Sequence, residues 1–155
     1  MEPLSILGAA SSIVSIIDIA SRCISSLHAL QQRWKDADIT VALIMGQIST
    51  LKAALEQISQ WMHTDADTLL SHYLLVMDLE LALHSSRLSI TFIHDHVTTL
   101  MRDKYNELTF RSKARAMAQD NMVQQCVKHL NNQTVALNLL LTALNWYAQI
   151  SRIYE

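Results

Sequence analysis

Two glycines and one proline in 155 residues leave little material for tight turns. Two-residue hairpins and the looped crossings of a dinucleotide fold both draw on glycine, so an all-β chain or a Rossmann-like chain is excluded. Long helices with few connections fit instead. Cysteine is equally sparse. Cys23 and Cys126 lack CxxC spacing and read as reduced, buried small hydrophobes of an intracellular protein. Charge is low as well: 17% of residues are charged and the net charge is −2. That balance gives no footprint for nucleic acid. Hydrophobic residues make up 50% of the chain, so much surface must be hidden in the fold or in a partner.

Catalytic strings are missing too. GxSxG, Rossmann, P-loop and HExxH patterns are all absent. The seven histidines form no ligand set. His94 and His96 are two apart and point away from each other on a helix, and Glu80 with His84 lacks the paired Glu-x-x-His of di-iron bundles. The residues therefore predict no enzyme, no metal and no cofactor.

What is present is apolar spacing of three and four, the mark of amphipathic helices. Four blocks follow it, all in one domain spanning 1–155. The first runs from about Leu4 to Trp34, with a core stripe of Ile13, Ile16, Ile17, Ala20, Cys23, Ile24, Leu27, Leu30 and Trp34. The second follows an Asp36 or Asp38 cap and carries Val41, Ile44, Ile48, Leu51, Leu55, Ile58 and Met62. The third opens at HTDADTLL, where Thr64 and Asp67 resemble a capping box. Its stripe is Leu70, Leu74, Met77, Leu81 and Leu88, continuing less regularly through Phe92, Ile93 and Val97, with a bend expected at His84-Ser85-Ser86. RDKYNELTFRSKAR reads as a loop. The fourth block starts around Ser112 and carries Val123, Cys126, Val127, Leu130, Leu137, Leu141 and Leu144. Four such helices predict an all-α, antiparallel four-helix bundle with a kinked third helix.

Three stretches invite functional readings. The first is the N-terminus. No charge occurs from Pro3 to Ile17, yet Glu2 is acidic and no basic residue precedes the run, so a secretory signal is excluded. The uncharged run is also short and serine-rich for a span, which takes about 20 apolar residues. From Ile13 on, Asp18 and Arg22 mark the solvent face of an ordinary bundle helix. Before it, Leu4 and Leu7 point to the side that later becomes polar, and Gly8 and Ser12 are small residues four apart. Leu4, Ile6, Leu7, Gly8, Ser12 and Ile13 are thus either a packed helix start or a segment for a membrane or self-association.

The second is the basic group Arg111, Lys113 and Arg115, diluted by Asp103 and Glu107. It reads as a solvated helix start or as a contact for anionic lipid headgroups. The latter matters only at the same bundle end as Leu4–Ser12. The third is the last block, with no charge from Asn131 to Ser151. Leu137, Leu140, Leu141 and Leu144 make one face; Val135, Leu139, Trp146 and Ile150 make a second. The block reads either as a core helix packed by the first, or as a partner surface anchored by Leu139, Trp146, Tyr147 and Ile150.

The two ends of the chain carry a family resemblance. MEPLSILGAASSIVSIIDIASRCISSLHAL is similar to the start of the HeLo-like N-terminal domains of fungal STAND (NLR-like) signalling proteins, and LNNQTVALNLLLTALNWY resembles their closing helix through Gln133, Ala136–Leu141 and Leu144. The resemblance is strongest at the two ends and vague from about 60 to 115. It implies a cytoplasmic bundle that precedes a nucleotide-binding or repeat region and is recruited to the plasma membrane. It implies a role in non-self recognition or programmed cell death by homo-oligomerisation, with Leu4 to about Ile19 as the membrane-active helix. The partners implied are a second copy, an anionic membrane and a signalling protein. This chain departs from the pattern by lacking any GxxxxGK(S/T) string. A plain dimerisation bundle, and a small-ligand or cofactor bundle with possible enzymatic activity, are the competing expectations.

Overall fold

The computed structural model describes residues 3–34, 39–64 and 73–154, with side chains from residue 8 in the first segment and from residue 76 in the third. Five helices and no strand occur among them: α1 Pro3–Arg33, α2 Ile39–Thr64, α3 Tyr73–Arg102, α4 Glu107–Gln119 and α5 Asn121–Tyr154. None of the described residues needs left-handed backbone, which agrees with the scarcity of glycine. Gly8 and Gly46 both lie inside helices.

The all-α bundle is as the spacing predicts. On α1, Ile13, Ile16, Ala20, Cys23, Leu27 and Leu30 are buried, as is Trp34 just past its end, and on α2 every residue of the expected stripe is. Each fully buried Ile or Leu contributes roughly 1.5–3 kcal/mol relative to exposure. Opposite this stripe, Asp18 and Arg22 pair at 3.0 Å in solvent, the i,i+4 order that the sequence offered. Such an exposed pair adds only about 0.3–0.5 kcal/mol. The core stripe, not the ion pair, fixes α1.

Four long helices enclose the core. α1 packs on α2 and α3, and α5 packs on the same two, so α5 lies across the bundle from α1. This corrects the expectation that the first helix covers the last. Helix direction also departs from a purely antiparallel arrangement. Gly8, Ser12 and Ile16 of α1 meet Glu80, His84 and Arg87 near the start of α3. At the other end, Arg33 reaches Tyr105 and Phe110, just past the end of α3. α1 and α3 are therefore neighbours that run the same way.

The third and fourth blocks differ most from expectation. On α3 the buried residues are Val76, Leu79, Ala82, Leu83, Ser86, Ser89, Ile90, Ile93, Val97 and Leu100. The expected stripe divides: Ile93 and Val97 are buried and Phe92 is half-buried, whereas Leu81 is 70% exposed, Leu88 60% and Met77 48%. The cause is composition. The inner face of α3 carries Val76, Leu79, Leu83, Ile90, Ile93, Val97 and Leu100 with Ala82, Ser86 and Ser89 among them, and Met77, Leu81 and Leu88 form a second apolar row opposite, so hydrophobicity alone does not choose between the two faces. The helix runs on through His84-Ser85-Ser86, with the Ser85 hydroxyl donating to the carbonyls of Leu81 and Ala82. Leu70, and the Asp36, Asp38, Asp65 and Asp67 caps, lie outside the described residues, as does the side chain of Leu74. Thr64 ends α2, its hydroxyl donating back to Gln60 and Trp61 carbonyls.

The last block is two helices. α4 starts at Glu107 rather than Ser112, because Asn106 caps it by accepting from the Thr109 N–H at 2.8 Å. Only residues 103–106 of the expected loop are non-helical. Asp120 then breaks the chain, its backbone extended at φ −60°, ψ 131°. Its carboxylate accepts from the N–H groups of Met122 and Val123 at 2.8 and 3.1 Å and so caps α5. Gln124 donates across the break to the Ala118 carbonyl at 2.6 Å.

Candidate functional site

α5 carries the largest departure from ordinary burial. Its inner face, Val123, Leu130, Leu137, Leu144 and Ala148, is buried against α2 and α3. The outer face bears Val135 (53% exposed), Leu139 (66%), Trp146 (63%) and Ile153 (79%), with Ile150 half-buried. At 100° per residue these five fall within a sector of about 60°, centred opposite Leu137. Thr142 completes the row at spacings of four and three. The row is apolar along some 27 Å of helix at 1.5 Å per residue. It contains no charged residue: none occurs from Asn131 to Ser151, and Arg152 lies off the row. Tyr147 lies at its flank, with its ring centroid 6.3 Å from that of Trp146. The second face of the last block is thus a solvent-facing surface and not part of a centrally buried helix.

The other sequence-derived groups sit apart from it. Gly8 is exposed, and a Cβ built there meets nothing within 4 Å, so it mediates no close helix approach. Ser12 and Gly8 instead line a half-open cavity of about 340 Å³ against Glu80, His84 and Arg87 of α3. Ile13 is fully buried in the core. The side chains of Leu4, Ile6 and Leu7 lie outside the described residues. Two helical stretches, Gly8–Arg33 and Ile39–Thr64, are long and apolar enough to cross a membrane, and both also bury the bundle's core stripes.

Arg111, Lys113 and Arg115 are exposed on α4. Lys113 Nζ lies 4.6 Å from the Tyr105 ring centroid, and Arg111 borders a small cleft with Arg33, Glu107 and Phe110. This is the Arg33 end of α1. Gly8 is 25 residues away, about 37 Å along the helix. The basic group and the small-residue segment occupy opposite ends of the bundle.

Titratable chemistry is thin. Among the described residues no three His, Cys, Asp or Glu side chains gather as a metal would require. The His96 ring lies 4.2 Å from Phe92 and its Nδ1 is 2.9 Å from the Phe92 carbonyl. Burial pushes the Cys23 thiol up to about 12. Burial also raises the half-buried Cys126 thiol, against a hydrogen bond with Ser89 and with the Asp120 carboxylate adding to the rise. Burial thus disfavours the thiolate at both positions, most at Cys23.

The sequence named Leu139, Trp146, Tyr147 and Ile150, and missed Ile153 and the outward row of α3. Ile153 was legible as the next step of the same spacing. The α3 row was seen and assigned to the core. No family model, no curated protein and no solved structure matches the chain.

Proposed function

We propose that this chain is a non-enzymatic helical signalling module that works by association through the outer face of α5. The observation that carries the reading is the row Val135, Leu139, Trp146, Ile153. A surface this apolar, free of charge and anchored by tryptophan marks a contact made with another protein. The resemblance of the two chain ends to HeLo-like domains supports a role in fungal non-self recognition or programmed cell death. The test is expression in a filamentous fungus, scoring growth arrest. Wild type arrests growth, and Leu139→Asp abolishes arrest while far-UV circular dichroism keeps its helix content. An inert wild type, or an active Leu139→Asp, sinks the reading.

A second reading has α1 engaging an anionic membrane. The apolar stretch Gly8–Arg33 favours it. Against it stand the burial of Ile13, Ile16 and Ala20 and the separation of the basic group from Gly8. Leaving the bundle would expose that whole stripe. Dye leakage from anionic liposomes that is lost on deleting residues 1–12 is the result expected of this mechanism. Absent leakage rules it out.

A further inference from the structure

We infer that the occupant of the α5 face is a second copy of this chain, docked by an antiparallel α5–α5 pair about a twofold axis near residue 144. The inference rests on the reading of that face as an association surface.

The row is nearly the same read in either direction. Its members Val135, Leu139, Thr142, Trp146, Ile150 and Ile153 are spaced 4, 3, 4, 4 and 3. Reversal about residue 144 sets Val135 against the second copy's Ile153, Leu139 against its Ile150, and Trp146 against its Thr142. The largest side chain of the row meets the smallest, the alternation that packed layers require. A parallel, in-register pair would instead put indole on indole and threonine on threonine.

Charge permits this pairing. Nothing from Asn131 to Ser151 is ionised at neutral pH in either copy, and Arg152, the one charged residue between Val135 and Ile153, sits about 120° around the helix from the centre of the row, so the paired row brings no like charges together and buries no ion. Asn138 and Asn145 lie to the side of the row, at the rim, and Thr142 within it donates its hydroxyl to the Asn138 carbonyl at 2.8 Å, so its covering leaves no donor unpaired. The area is also sufficient. The exposed part of the row amounts to roughly 700 Å² per protomer, near the ~800 Å² per partner of a standard-size stable interface. The arrangement is isologous, so one pair consumes both faces and the assembly closes at two.

Sedimentation and cysteine cross-linking test it, in the full chain carrying Cys126→Ser. The expected result is a dimer at tens of micromolar that becomes monomeric with Leu139→Asp. Under mild oxidation, a mixture of Leu139→Cys and Ile150→Cys chains yields a disulfide-linked heterodimer. Val135→Cys alone yields none, since its two copies would stand about 27 Å apart along the axis. A Val135→Cys chain that links to itself overturns the antiparallel register. Assemblies larger than two overturn closure. A monomer at 100 μM, or a dimer unaffected by Leu139→Asp, overturns the inference outright. A monomeric chain that still arrests fungal growth through Leu139 leaves the association reading standing, with a different protein as partner.

Discussion

The Arg33 guanidinium lies 3.8 Å from the centroid of the Phe110 ring and donates to the Tyr105 carbonyl at 3.4 Å. These two contacts tie the end of α1 to the α3–α4 connection. They also locate the basic residues of α4 at the bundle end remote from Gly8. A cation over an aromatic face contributes about 0.5–1 kcal/mol when exposed and about 2 when desolvated. Arg33→Ala therefore lowers stability by about 1 kcal/mol in urea unfolding. Arg33→Lys restores only part of it, because an ammonium keeps the charge and loses the planar stack. An unchanged urea midpoint in Arg33→Ala would show that the latch contributes nothing.

Asp120 sets the angle between α4 and α5. Its carboxylate satisfies two N–H groups that the first turn of α5 would otherwise leave open. Asp120→Ala costs about 1 kcal/mol, and Asp120→Asn costs less because the amide oxygen still accepts. Thermal unfolding of both variants checks the order. A larger loss in the asparagine variant would mean that charge, rather than capping, holds the break.

Much of this fold was legible in the sequence, and the exceptions share a cause. The stripes of α1 and α2 are read correctly because large aliphatic residues fill one face and polar ones the other. On α3 the rule fails. Ser86, Ser89 and Ala82 are buried while Leu81 and Leu88 face solvent. Hydrophobicity does not reveal which face neighbours approach when a helix carries two apolar rows, and small residues at Ala82, Ser86 and Ser89 interrupt the inner one. Likewise, α5 carries two apolar faces, and periodicity cannot say which one the bundle takes. The neighbours decide that: α2 and α3 cover Leu137 and Leu144 and leave Leu139 and Trp146 outside. The break at Asp120 was legible in principle, since aspartate is a strong helix cap.

Ser86 is fully buried, and its hydroxyl has no hydrogen-bond partner among the described residues. A buried, unpaired hydroxyl carries a desolvation cost of about 1–3 kcal/mol. Ser86→Ala removes that cost, keeps nearly the same volume and favours helix. It raises stability by about 1 kcal/mol, read as a higher urea midpoint at unchanged slope. A destabilised alanine variant would indicate that the hydroxyl is satisfied in solution.

The two cysteines give a pH test of the core. Cys23 is fully buried on α1, and burial raises its thiol from 9.0 to about 12. Between those values the unfolded chain loses the Cys23 proton and the folded chain keeps it. The folded state then binds more protons, so stability falls as pH rises. The Cys23 contribution to that slope approaches about 1.4 kcal/mol per pH unit well inside the window and vanishes below pH 8. Cys23→Ala lowers stability at neutral pH by leaving a small void, yet flattens the decline above pH 9. Cys126 is half-buried and raised less simply, so native alkylation labels it first. Cys23 is labelled only as fast as the bundle opens. Urea midpoints at pH 7, 9 and 10 for wild type and Cys23→Ala measure the difference. Parallel pH profiles for the two proteins would mean that the Cys23 thiol ionises in the folded chain and that the α1 core admits water.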